Sequence, residues 1–322
     1  MARVAIVIVT HESAGVIGPC LDSIRRLPGV GAEAEIGIER LVVDNASSDS
    51  TCGIVAATGV RLIANPNNEG FAAAVNQGVR ASLAPLILLL NPDTRLETGI
   101  QSLIDCFDDP AIGGAGGLLV GTDGQPQTGF MARSLPTPAT LAFEVLGMNR
   151  LWPKNPVNWH YRCLRNDPMA SACVDQPAGA FFMFRRSAWE QLGGFDEDFW
   201  PVWFEDVDFC ARLRAAGFRL RYQPAARAVH QGGHSVGTIP YGLRERYWYG
   251  SLLKYAAKHY RRVAFGSVCL AVAAGAVWRA ILAFPRGGMR VFEVYSSVIR
   301  LSFAHLRGAL PGSRIPGPRR GR

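Results

Sequence analysis

The sequence lacks several patterns that mark well-known protein classes. No C-x-x-C pair occurs among its seven cysteines, which lie at positions 20, 52, 106, 163, 173, 210 and 269. Scattered thiols of odd number in a chain of 322 residues favour buried, reduced cysteines over a disulfide framework. No G-x-G-x-x-G follows a predicted strand and opens a helix, so a dinucleotide-binding fingerprint is excluded.

A secretion signal is also missing from the first residues, MARVAIVIVTHES. The apolar run is short, and no A-x-A cleavage site follows it. The run therefore predicts a buried strand, and the reduced cysteines predict a cytoplasmic location.

Basic residues are concentrated toward the C-terminal end of the chain. Residues 241–322 hold 15 Lys and Arg against two acids, a net +13, whereas the other 240 residues hold 19 basic and 24 acidic residues, a net −5. Within the basic region the 16 residues Val263–Trp278 carry no charge, and Arg261 and Arg262 precede them. A bilayer span needs about 20 apolar residues, so this segment is short for one.

Two interpretations of this uncharged segment stay open. One is a buried C-terminal helix. The other is a helix that lies in the cytoplasmic leaflet and is held to an anionic membrane surface by its basic flanks. An acidic body with a basic tail indicates an acidic partner for the tail, either anionic lipid or nucleic acid. We favour the membrane, and so expect a protein peripheral to the inner face of the cell membrane with no nucleic acid partner.

Strand-like and helix-like segments alternate through the first half of the chain. The strand-like segments are short apolar runs: Val4–Val9, Ile36–Val43, Val60–Ala64 and Pro85–Leu90. Between them, apolar residues recur near helical spacing in Val16–Leu27, Ser50–Ala57 and Glu69–Leu83. This alternation predicts an α/β fold with a doubly wound, mostly parallel sheet flanked by helices.

Polar clusters follow all four strand-like runs, at residues 10–13 (THES), 44–45 (DN), 65–70 (NPNNEG) and 91–93 (NPD). Ligands of such sheets bind beyond the carboxyl ends of the strands, so the four clusters predict the rim of a binding crevice. The acceptor-only carboxylate of Asp44, where the second strand ends, matches the N3–H of uracil or thymine.

The NPD cluster supports two interpretations. A carboxylate on a rigid strand end suits a hard divalent cation that bridges two phosphates, and Asn91 points the same way as Asp93 if the chain is still extended there. Alternatively, residues 91–93 form a turn that caps the following helix.

Acidic and aromatic residues are concentrated at 195–210 (FDEDFWPVWFEDVDFC). If a helix begins near Glu205, then Glu205, Asp208 and Arg212 share one face. The acids could simply favour the helix N-terminus, with Asp208 and Arg212 as a surface pair. The aromatic neighbours favour catalysis instead, because desolvation raises the pKa of a carboxyl group and suits it to act as a general base.

Two histidines, His230 and His234, lie in a glycine-bracketed loop (AVHQGGHS) after the predicted strand Phe218–Tyr222. A lone histidine is more often structural than a ligand. A single neutral imidazole could nevertheless complete a mixed Asp/His site for Mg²⁺ or Mn²⁺, and the spacing fits no closed zinc site.

Seven blocks carry a resemblance to a known family: VTHES, VDNASSDST, NNEGFAAAVNQG, LLLNPDT, GAFFMFRRSAWEQLGGFDEDF, FEDVDFCARLRAAGF and VHQGGHS. In this order, over about residues 3–236, they resemble the family 2 glycosyltransferases with the GT-A fold, most of all the bacterial rhamnosyltransferase-like branch. The resemblance implies an inverting hexosyltransferase that needs Mg²⁺ or Mn²⁺. It would pass a sugar, with rhamnose favoured, from a dTDP- or UDP-sugar to a hydroxyl of a glycan or polyprenyl-diphosphate-linked acceptor in cell-surface polysaccharide synthesis.

The resemblance also implies a domain organisation. The GT-A domain would cover residues 1–240, with a nucleotide-binding half at 1–110 and an acceptor and catalytic half at 111–240. A helical, basic, membrane-associating region would follow at 241–310, and residues 311–322 predict a disordered tail.

Site residues follow from the same resemblance. Those that would bind the nucleotide-sugar are Thr10, Glu12, Asp44, Asn68, Gly70 and Asp93. Asp93 would be the metal-binding last acid of the D-x-D element, and His230 would face the same metal. Asp206 would be the general base, with Glu205 and Asp208 as supports or acceptor contacts.

The chain departs from the family pattern at two places. Residues 91–93 read NPD, so the first acid of D-x-D is missing and the metal shell is thinner. Residues 244–248 (RERYW) only loosely resemble the Q-x-x-R-W element of processive synthases, so we expect one sugar to be added per encounter.

Two other functions compete with glycosyl transfer. A sugar-phosphate nucleotidyltransferase would carry a glycine-rich, Lys- or Arg-bearing loop after the first strand, which this sequence lacks. A catalytically inactive nucleotide-sugar-binding protein would have no need of Asp93, Asp206 and His230 together.

Overall fold

Strands and helices alternate in the computed structural model, which describes residues 3–27, 37–233, 237 and 239–308. The strands are β1 (Val4–Thr10), β2 (Ile38–Asp44), β3 (Arg61–Ala64), β4 (Leu86–Leu90), β5 (Thr94–Leu96), β6 (Ile112–Val120), β7 (Ala132–Arg133), β8 (Ala172–Val174), β9 (Gln176–Pro177), β10 (Phe181–Arg185) and β11 (Arg219–His230). The helices are α1 (Ala14–Arg25), α2 (Thr51–Ala56), α3 (Phe71–Arg80), α4 (Gln101–Asp105), α5 (Pro138–Val145), α6 (Met148–Leu151), α7 (Pro156–Tyr161), α8 (Arg186–Gln191), α9 (Glu205–Ala215), α10 (Tyr241–His259) and α11 (Arg262–Leu306). The four strands and three helices predicted in the first half are all present. Ile36, His234 and residues 311–322, for which the sequence predicts a strand, a loop and a tail, lie outside the described residues.

The fold divides into two units. The first takes its residues from 1–135, 159–196 and 205–239, and the second from 136–158, 197–204 and 240–322. Two short segments of the first 240 residues therefore belong to the unit that holds α10 and α11.

A nine-stranded sheet forms the centre of the first unit, in the order β3-β2-β1-β4-β10-β6-β11-β5 with β8 also paired to β11. Strands β1 to β4 are parallel neighbours, and β11 is parallel to β6. Strand β10 runs antiparallel to both β4 and β6, while β5 and β8 run antiparallel to β11. The predicted α/β sheet flanked by helices is confirmed, and the sheet is mixed, with four parallel and four antiparallel pairings among the described strands.

The unbroken apolar run of β1 reflects burial on both faces of the sheet. Val4, Ile6 and Ile8 join one core cluster together with side chains of α1. Ala5, Val7 and Val9 join the cluster on the other face, which includes side chains of α3 and α9. Because each buried valine or isoleucine stabilises the fold by about 1.5–3 kcal/mol, both faces must be covered.

The strand register brings the predicted polar clusters to one edge of the sheet. Thr10 pairs with Asp44 at the ends of β1 and β2, and Asp44 pairs with Ala64 at the end of β3. The clusters that follow these strands therefore begin at the same level, as the sequence predicts.

Strand β11 is longer than the sequence predicts. It runs to His230 instead of ending at Tyr222, with a register shift between Gln223 and Arg227 where it passes along β6. Pro224 lies within this irregularity, which is where a sheet tolerates a residue without an N–H. The prediction that His230 lies in a loop is therefore wrong, since it is the last residue of a strand.

Helices α5, α10 and α11 pack together in the second unit. Tyr249 and Tyr255 of α10 are among its fully buried side chains. Phe204, one of the aromatic residues that precede the acids of α9, packs against Trp248 and Tyr255. Helix α11 carries a kink at Gly288, whose φ of 55° and ψ of −145° are not helical.

All seven cysteines lie in the described ranges and are free. Cys20, Cys210 and Cys269 are buried, whereas Cys173 is exposed. The cysteines are free, as expected, but only three of the seven are buried.

Candidate active site

The ends of β1 and β2 are joined by hydrogen bonds between polar side chains. Thr10 Oγ1 donates to Asp44 Oδ1 over 2.8 Å, and Ser47 donates to both oxygens of Asp44, from its hydroxyl over 2.6 Å and its N–H over 2.8 Å. Asp44 is only 1% exposed. The strand-end position suggests a carboxylate that is free to accept from a ligand, but in the structure Thr10, Ser47 and Cys52 all bond to it.

Glu12, in the loop after β1, binds the loop that follows β2. Its Oε1 accepts hydrogen bonds from the N–H and the hydroxyl of Ser48, each over 2.8 Å. Glu12 has a φ of 51°, a left-handed conformation that costs energy for a residue with a side chain. The N–H of Glu12 also donates to Ser47 Oγ over 2.9 Å, so Thr10, Glu12 and Asp44 lie in one network.

The loop before α3 is held by asparagines. Asn68 Oδ1 accepts from the N–H of Gly70 over 3.0 Å, and Gly70 adopts a φ of 90° that favours glycine. Asn45 Nδ2 donates to the Gly70 carbonyl over 3.0 Å, and Asn45 Oδ1 accepts from Asn65. The sequence places Asn45 and Asn65 in the strand-end clusters but gives neither a role, although they fix the position of the loop.

The NPD segment forms a tight turn and not an extended continuation of β4. Thr94 donates its N–H to the Asn91 carbonyl over 3.1 Å, which closes a four-residue turn with Pro92 at its second position. The segment leads into β5 and not into a helix. Asn91 therefore does not share the direction that an extended chain would give it with Asp93.

Asp93 and His230 meet at this turn. His230 Nε2 lies 3.5 Å from Asp93 Oδ1, and both side chains are 6% exposed. The N–H of Gly232 donates to Asp93 Oδ2 over 3.1 Å, which leaves Oδ1 toward the histidine. Burial lowers the pKa of His230 below its ordinary value, and the charge of Asp93 opposes that shift.

This pair fits a divalent cation. One carboxylate oxygen and one imidazole nitrogen are ligands that suit Mn²⁺ or Mg²⁺. Cys20 lies nearby, but burial followed by the charge of Asp93 raises the pKa of its thiol, so it stays protonated and does not compete as a thiolate. Within the described residues no group of three His, Cys, Asp or Glu side chains is placed to hold a metal ion. The protein would therefore supply two ligands, and a bound diphosphate and water the rest.

Asp206 lies in the first turn of α9 and is half-buried. Its Oδ2 accepts from the N–H of Gly179 over 3.2 Å and from Gln176 Nε2 over 3.3 Å, and its Oδ1 accepts from the N–H of Val207 over 2.8 Å. The sequence singles out neither Gly179 nor Gln176. No sequence pattern identifies Gln176, whereas the small residues of PAGA at 177–180 are a faint sign of close approach.

Asp206 and the NPD turn are anchored to neighbouring residues. Gly179 binds Asp206, and the carbonyl of Ala180 accepts from the N–H of Asn91 over 3.0 Å. The antiparallel pairing of β10 with β4 produces this proximity. The residue that binds Asp206 and the residue that binds the turn of Asp93 are therefore adjacent in the chain, just before β10, while His230 is supplied by the end of β11.

Glu205 is a strongly desolvated acid of this segment. Burial raises its pKa well above the ordinary value, and the charges of Asp206 and Asp208 raise it further. Its Oε2 has no hydrogen-bond partner among the residues that the structure describes. The expected desolvation of a carboxyl group in this segment thus occurs at Glu205.

Asp208 and Arg212 form a buried pair and not a surface pair. Arg212 Nε donates to Asp208 Oδ2 over 2.7 Å, with the Asp208 side chain fully buried and that of Arg212 17% exposed. Arg212 Nη1 also donates to the carbonyl of Leu192 over 3.0 Å. Asp208 therefore supports the fold of α9, and its burial leaves no surface for an acceptor contact.

Family models match most of the chain. Residues 5–193 match the family described as Glycosyl transferase family 2, and residues 155–308 match the one described as Glycosyl transferase family group 2. The chain is 31% identical over 239 residues to the N-acetylglucosaminyl-diphospho-decaprenol L-rhamnosyltransferase of Mycobacterium tuberculosis. That alignment covers 69% of this chain and 75% of the mycobacterial protein.

Solved structures resemble the fold at low sequence identity. A mannosyltransferase of Pyrobaculum calidifontis, in complex with GDP-Man and Mn²⁺, superposes with a TM-score of 0.53 at 17% identity, over 95% of this chain and 85% of that one. GalNAc-T7 with UDP, GalNAc and Mn²⁺ gives a TM-score of 0.54 at 16% identity, over 80% of this chain and 50% of that one. At these identities the likeness concerns the fold alone.

Proposed function

Since the chain belongs to glycosyltransferase family 2 and has the GT-A fold, we propose that it is an inverting enzyme in which Asp206 is the base and Asp93 and His230 hold a divalent cation. The observation that carries the proposal is that Asp206 and the turn of Asp93 are bound by adjacent residues. Gly179 binds Asp206, while the next residue, Ala180, binds the turn that contains Asp93. A donor diphosphate at Asp93 and an acceptor hydroxyl at Asp206 would then approach each other.

The nucleoside of the donor would lie along the ends of β1 and β2. Thr10, Glu12 and Asp44 form a connected network there, and Asn68 and Gly70 shape the adjacent loop. Asp44 already accepts from Thr10 and Ser47, and Cys52 also makes a side-chain hydrogen bond to it, so a nucleobase or ribose donor group would replace one of these partners. The bases of dTDP- and UDP-sugars both carry a suitable N3–H.

The reaction would be a single displacement. As the acceptor oxygen forms its bond to the anomeric carbon, its proton passes to the carboxylate of Asp206 and the bond from that carbon to the diphosphate oxygen breaks. The nucleoside diphosphate leaves from the opposite face, so the configuration inverts. A cation at Asp93 and His230 would supply Lewis-acid stabilisation of the leaving diphosphate.

Rhamnose and a polyprenyl-diphosphate-linked glycan are the substrates that we favour. The mycobacterial relative is named for transfer of L-rhamnose to N-acetylglucosaminyl-diphospho-decaprenol, and this chain spans three quarters of it. Such an acceptor has a soluble glycan on a membrane-bound lipid, which fits the synthesis of a cell-surface polysaccharide. An enzyme that acts on it gains from lying at the inner face of the membrane.

Helix α11 offers a surface for that membrane. Exposed apolar side chains occur at helical spacing along it, among them Val263, Leu270, Val277, Ile281 and Phe284. The stretch Arg262–Pro285 is long and apolar enough to cross a bilayer by length and composition, and a third of it is buried in the fold.

The opposite face of the same helix is buried within the second unit. Val268, Cys269, Val272 and Ala276 are fully buried. A helix with one face packed on its own unit suits a position in the interface, so we favour a peripheral arrangement over a span.

The charges beside the exposed face favour an anionic bilayer surface as its partner. Arg261 and Arg262 are exposed at the start of α11, and Arg290 is exposed beyond Pro285. Arg279 does not belong to this basic rim, because its guanidinium donates to the carbonyls of Glu144 and Val145. The exposed arginines would meet lipid phosphates as the apolar face enters the leaflet.

A donor screen tests the function. The purified protein is incubated with Mn²⁺ and each of several nucleotide-sugars, with and without a lipid-linked N-acetylglucosamine acceptor, and the released nucleoside diphosphate is measured. We expect dTDP release from dTDP-rhamnose that depends on the acceptor. In a parallel incubation with dTTP or UTP and a sugar 1-phosphate, release of inorganic diphosphate would indicate nucleotidyl transfer. Binding of a nucleotide-sugar without any release would indicate an inactive binding protein. Either outcome would contradict the proposal.

A further inference from the structure

Gln127 reaches the proposed metal site from the turn after β6. Its N–H donates to the carbonyl of Leu119 over 2.9 Å, which holds the returning chain beside the end of β6. Strand β11 runs parallel to β6 there, with Val229 opposite Val120. The side chain of Gln127 therefore faces His230, although 103 residues separate the two in sequence.

Two hydrogen bonds join Gln127 to His230. Gln127 Nε2 lies 2.8 Å from the backbone carbonyl oxygen of His230, and Gln127 Oε1 lies 2.9 Å from His230 Nδ1. A carbonyl oxygen can only accept, so its partner must be the amide NH₂. The other amide atom is then an oxygen, which can also only accept. His230 Nδ1 must therefore carry a hydrogen.

The opposite ring nitrogen then carries a lone pair. In the neutral imidazole, the form that binds a metal ion, one nitrogen donates and the other accepts. His230 Nε2 faces Asp93 Oδ1 across 3.5 Å, so two electron-pair donors face each other in a site from which water is largely excluded. A cation between them would satisfy both.

The ring plane is fixed as well. Phe130 stacks on His230 with ring centroids 5.1 Å apart and an interplanar angle of 6°. Arg133 lies over the other ring of this stack, 5.4 Å from the centroid of Phe130. The direction of the Nε2 lone pair thus depends on Gln127 for the tautomer and on Phe130 for the plane.

We propose that Gln127 is a positioning residue that holds His230 in the Nδ1–H tautomer and so presents Nε2, together with Asp93, to a divalent cation. This inference rests on the proposed function only for the identity of the ion's partner, a nucleoside diphosphate. The second hydrogen bond of a metal-ligating histidine commonly sets its tautomer, and its loss typically costs 10- to 100-fold in metal affinity.

The tautomer can be read without metal or turnover. The full chain is labelled with ¹⁵N-histidine, and long-range ¹H–¹⁵N correlation spectra are recorded, with a His230→Gln sample identifying the His230 signals. We expect the Nδ1–H tautomer in the natural protein. Gln127→Leu should convert His230 to the Nε2–H form or a mixture, whereas Gln127→Glu should keep Nδ1–H, because a carboxylate only accepts.

Metal affinity supplies the second readout. Binding of Mn²⁺ in the presence of dTDP or UDP is followed by electron paramagnetic resonance for the same variants. We expect Gln127→Leu to weaken binding about 10- to 100-fold, Gln127→Glu to stay within a few-fold, and Gln125→Leu, an exposed change on the same turn, to have no effect.

The inference and the proposed function fail separately. An Nε2–H tautomer in the natural protein, or a Gln127→Leu variant with unchanged tautomer and unchanged Mn²⁺ affinity, would overturn the inference. The expected tautomer and Mn²⁺ losses in a protein that transfers no sugar would instead sustain the inference and contradict the function.

Discussion

Gly179 donates its N–H to Asp206 Oδ2 over 3.2 Å, and a Cβ built on Gly179 would lie 3.0 Å from the same oxygen. The carboxylate thus rests directly on the backbone of the segment between β9 and β10. A side chain at position 179 would also come within 3.1 Å of the Cβ of Asp206. The proposed base can therefore occupy its position only because residue 179 has no side chain.

Gly179→Ala should displace Asp206 and slow transfer while the nucleotide still binds. Since a misplacement of about 1 Å can cost on the order of 100-fold in rate, we expect kcat to fall at least about tenfold. Steady-state kinetics measures kcat, and calorimetric titration with dTDP measures nucleotide affinity. Gly99→Ala is the matched control, because a Cβ there meets nothing within 4 Å. Equal kcat values for the two variants would refute the packing argument.

Asp93→Ala should remove the metal dependence of nucleotide binding. The natural protein should bind dTDP or UDP more tightly with Mn²⁺ than with EDTA, by about tenfold or more, and the variant should bind equally in both. Calorimetry under the two conditions measures the difference, with the exposed Asp105→Ala as control. A variant that keeps the Mn²⁺ enhancement would show that Asp93 does not hold the ion.

Glu205 should make stability depend on pH. Burial raises its pKa above the ordinary value of 4.5, so between 4.5 and the raised pKa the folded state binds more protons than the unfolded state. The free energy of unfolding therefore decreases as pH rises through that window, by up to about 1.4 kcal/mol per pH unit.

Glu205→Gln removes this penalty. Relative to the natural protein, the variant should gain stability steadily from pH 4.5 toward neutral pH, and urea unfolding at several pH values measures the gain. Glu190→Gln, at an exposed position of α8, should show no such trend. Parallel pH profiles for Glu205→Gln and the natural protein would indicate that burial does not perturb this carboxyl group.

Membrane binding should depend on the exposed face of α11. Leu270→Ser combined with Ile281→Ser, at side chains 60% and 59% exposed, should weaken binding to vesicles that contain phosphatidylglycerol. Leu83→Ser is the control, because Leu83 is 85% exposed but belongs to the first unit. Arg261 and Arg262 each contribute about 1 kcal/mol near an anionic surface, so neutral vesicles should bind less.

Vesicle sedimentation distinguishes the outcomes. If the double variant loses vesicle binding and the Leu83→Ser control does not, the result supports membrane binding through α11. Equal losses in the Leu83 control, or equal binding of all forms to anionic and neutral vesicles, would contradict it.

The fold was largely predictable because its signals are local. Unbroken apolar runs such as Val4–Val9 predict strands buried on both faces, and β1 has side chains in both core clusters. The polar residues after those strands meet because parallel strands end at one edge. Thr10 and Asp44, which are adjacent in the register, could therefore be grouped from the amino-acid sequence alone.

Interactions between distant segments were not predictable. The bonds from Gln127 to His230 depend on the pairing of β6 with β11. The strand predicted from the sequence ends at Tyr222, just before Pro224, because proline is rare inside strands, whereas β11 continues to His230. The sequence also predicts a desolvated carboxyl group among the acids of 205–208 but does not say which one it is. In the structure burial raises the pKa of Glu205, whereas Asp206 stays half-buried.

Replacement of Asp206 by Asn tests the central claim most directly. The shape of the side chain is kept and its ability to accept a proton is lost, so transfer from dTDP-rhamnose to the lipid-linked acceptor should fall about 10²- to 10⁴-fold, with nucleotide affinity within a few-fold of the natural protein. Asp108→Asn, an exposed change, should keep full activity. Near-normal transfer by Asp206→Asn, with nucleotide binding intact, would contradict the account.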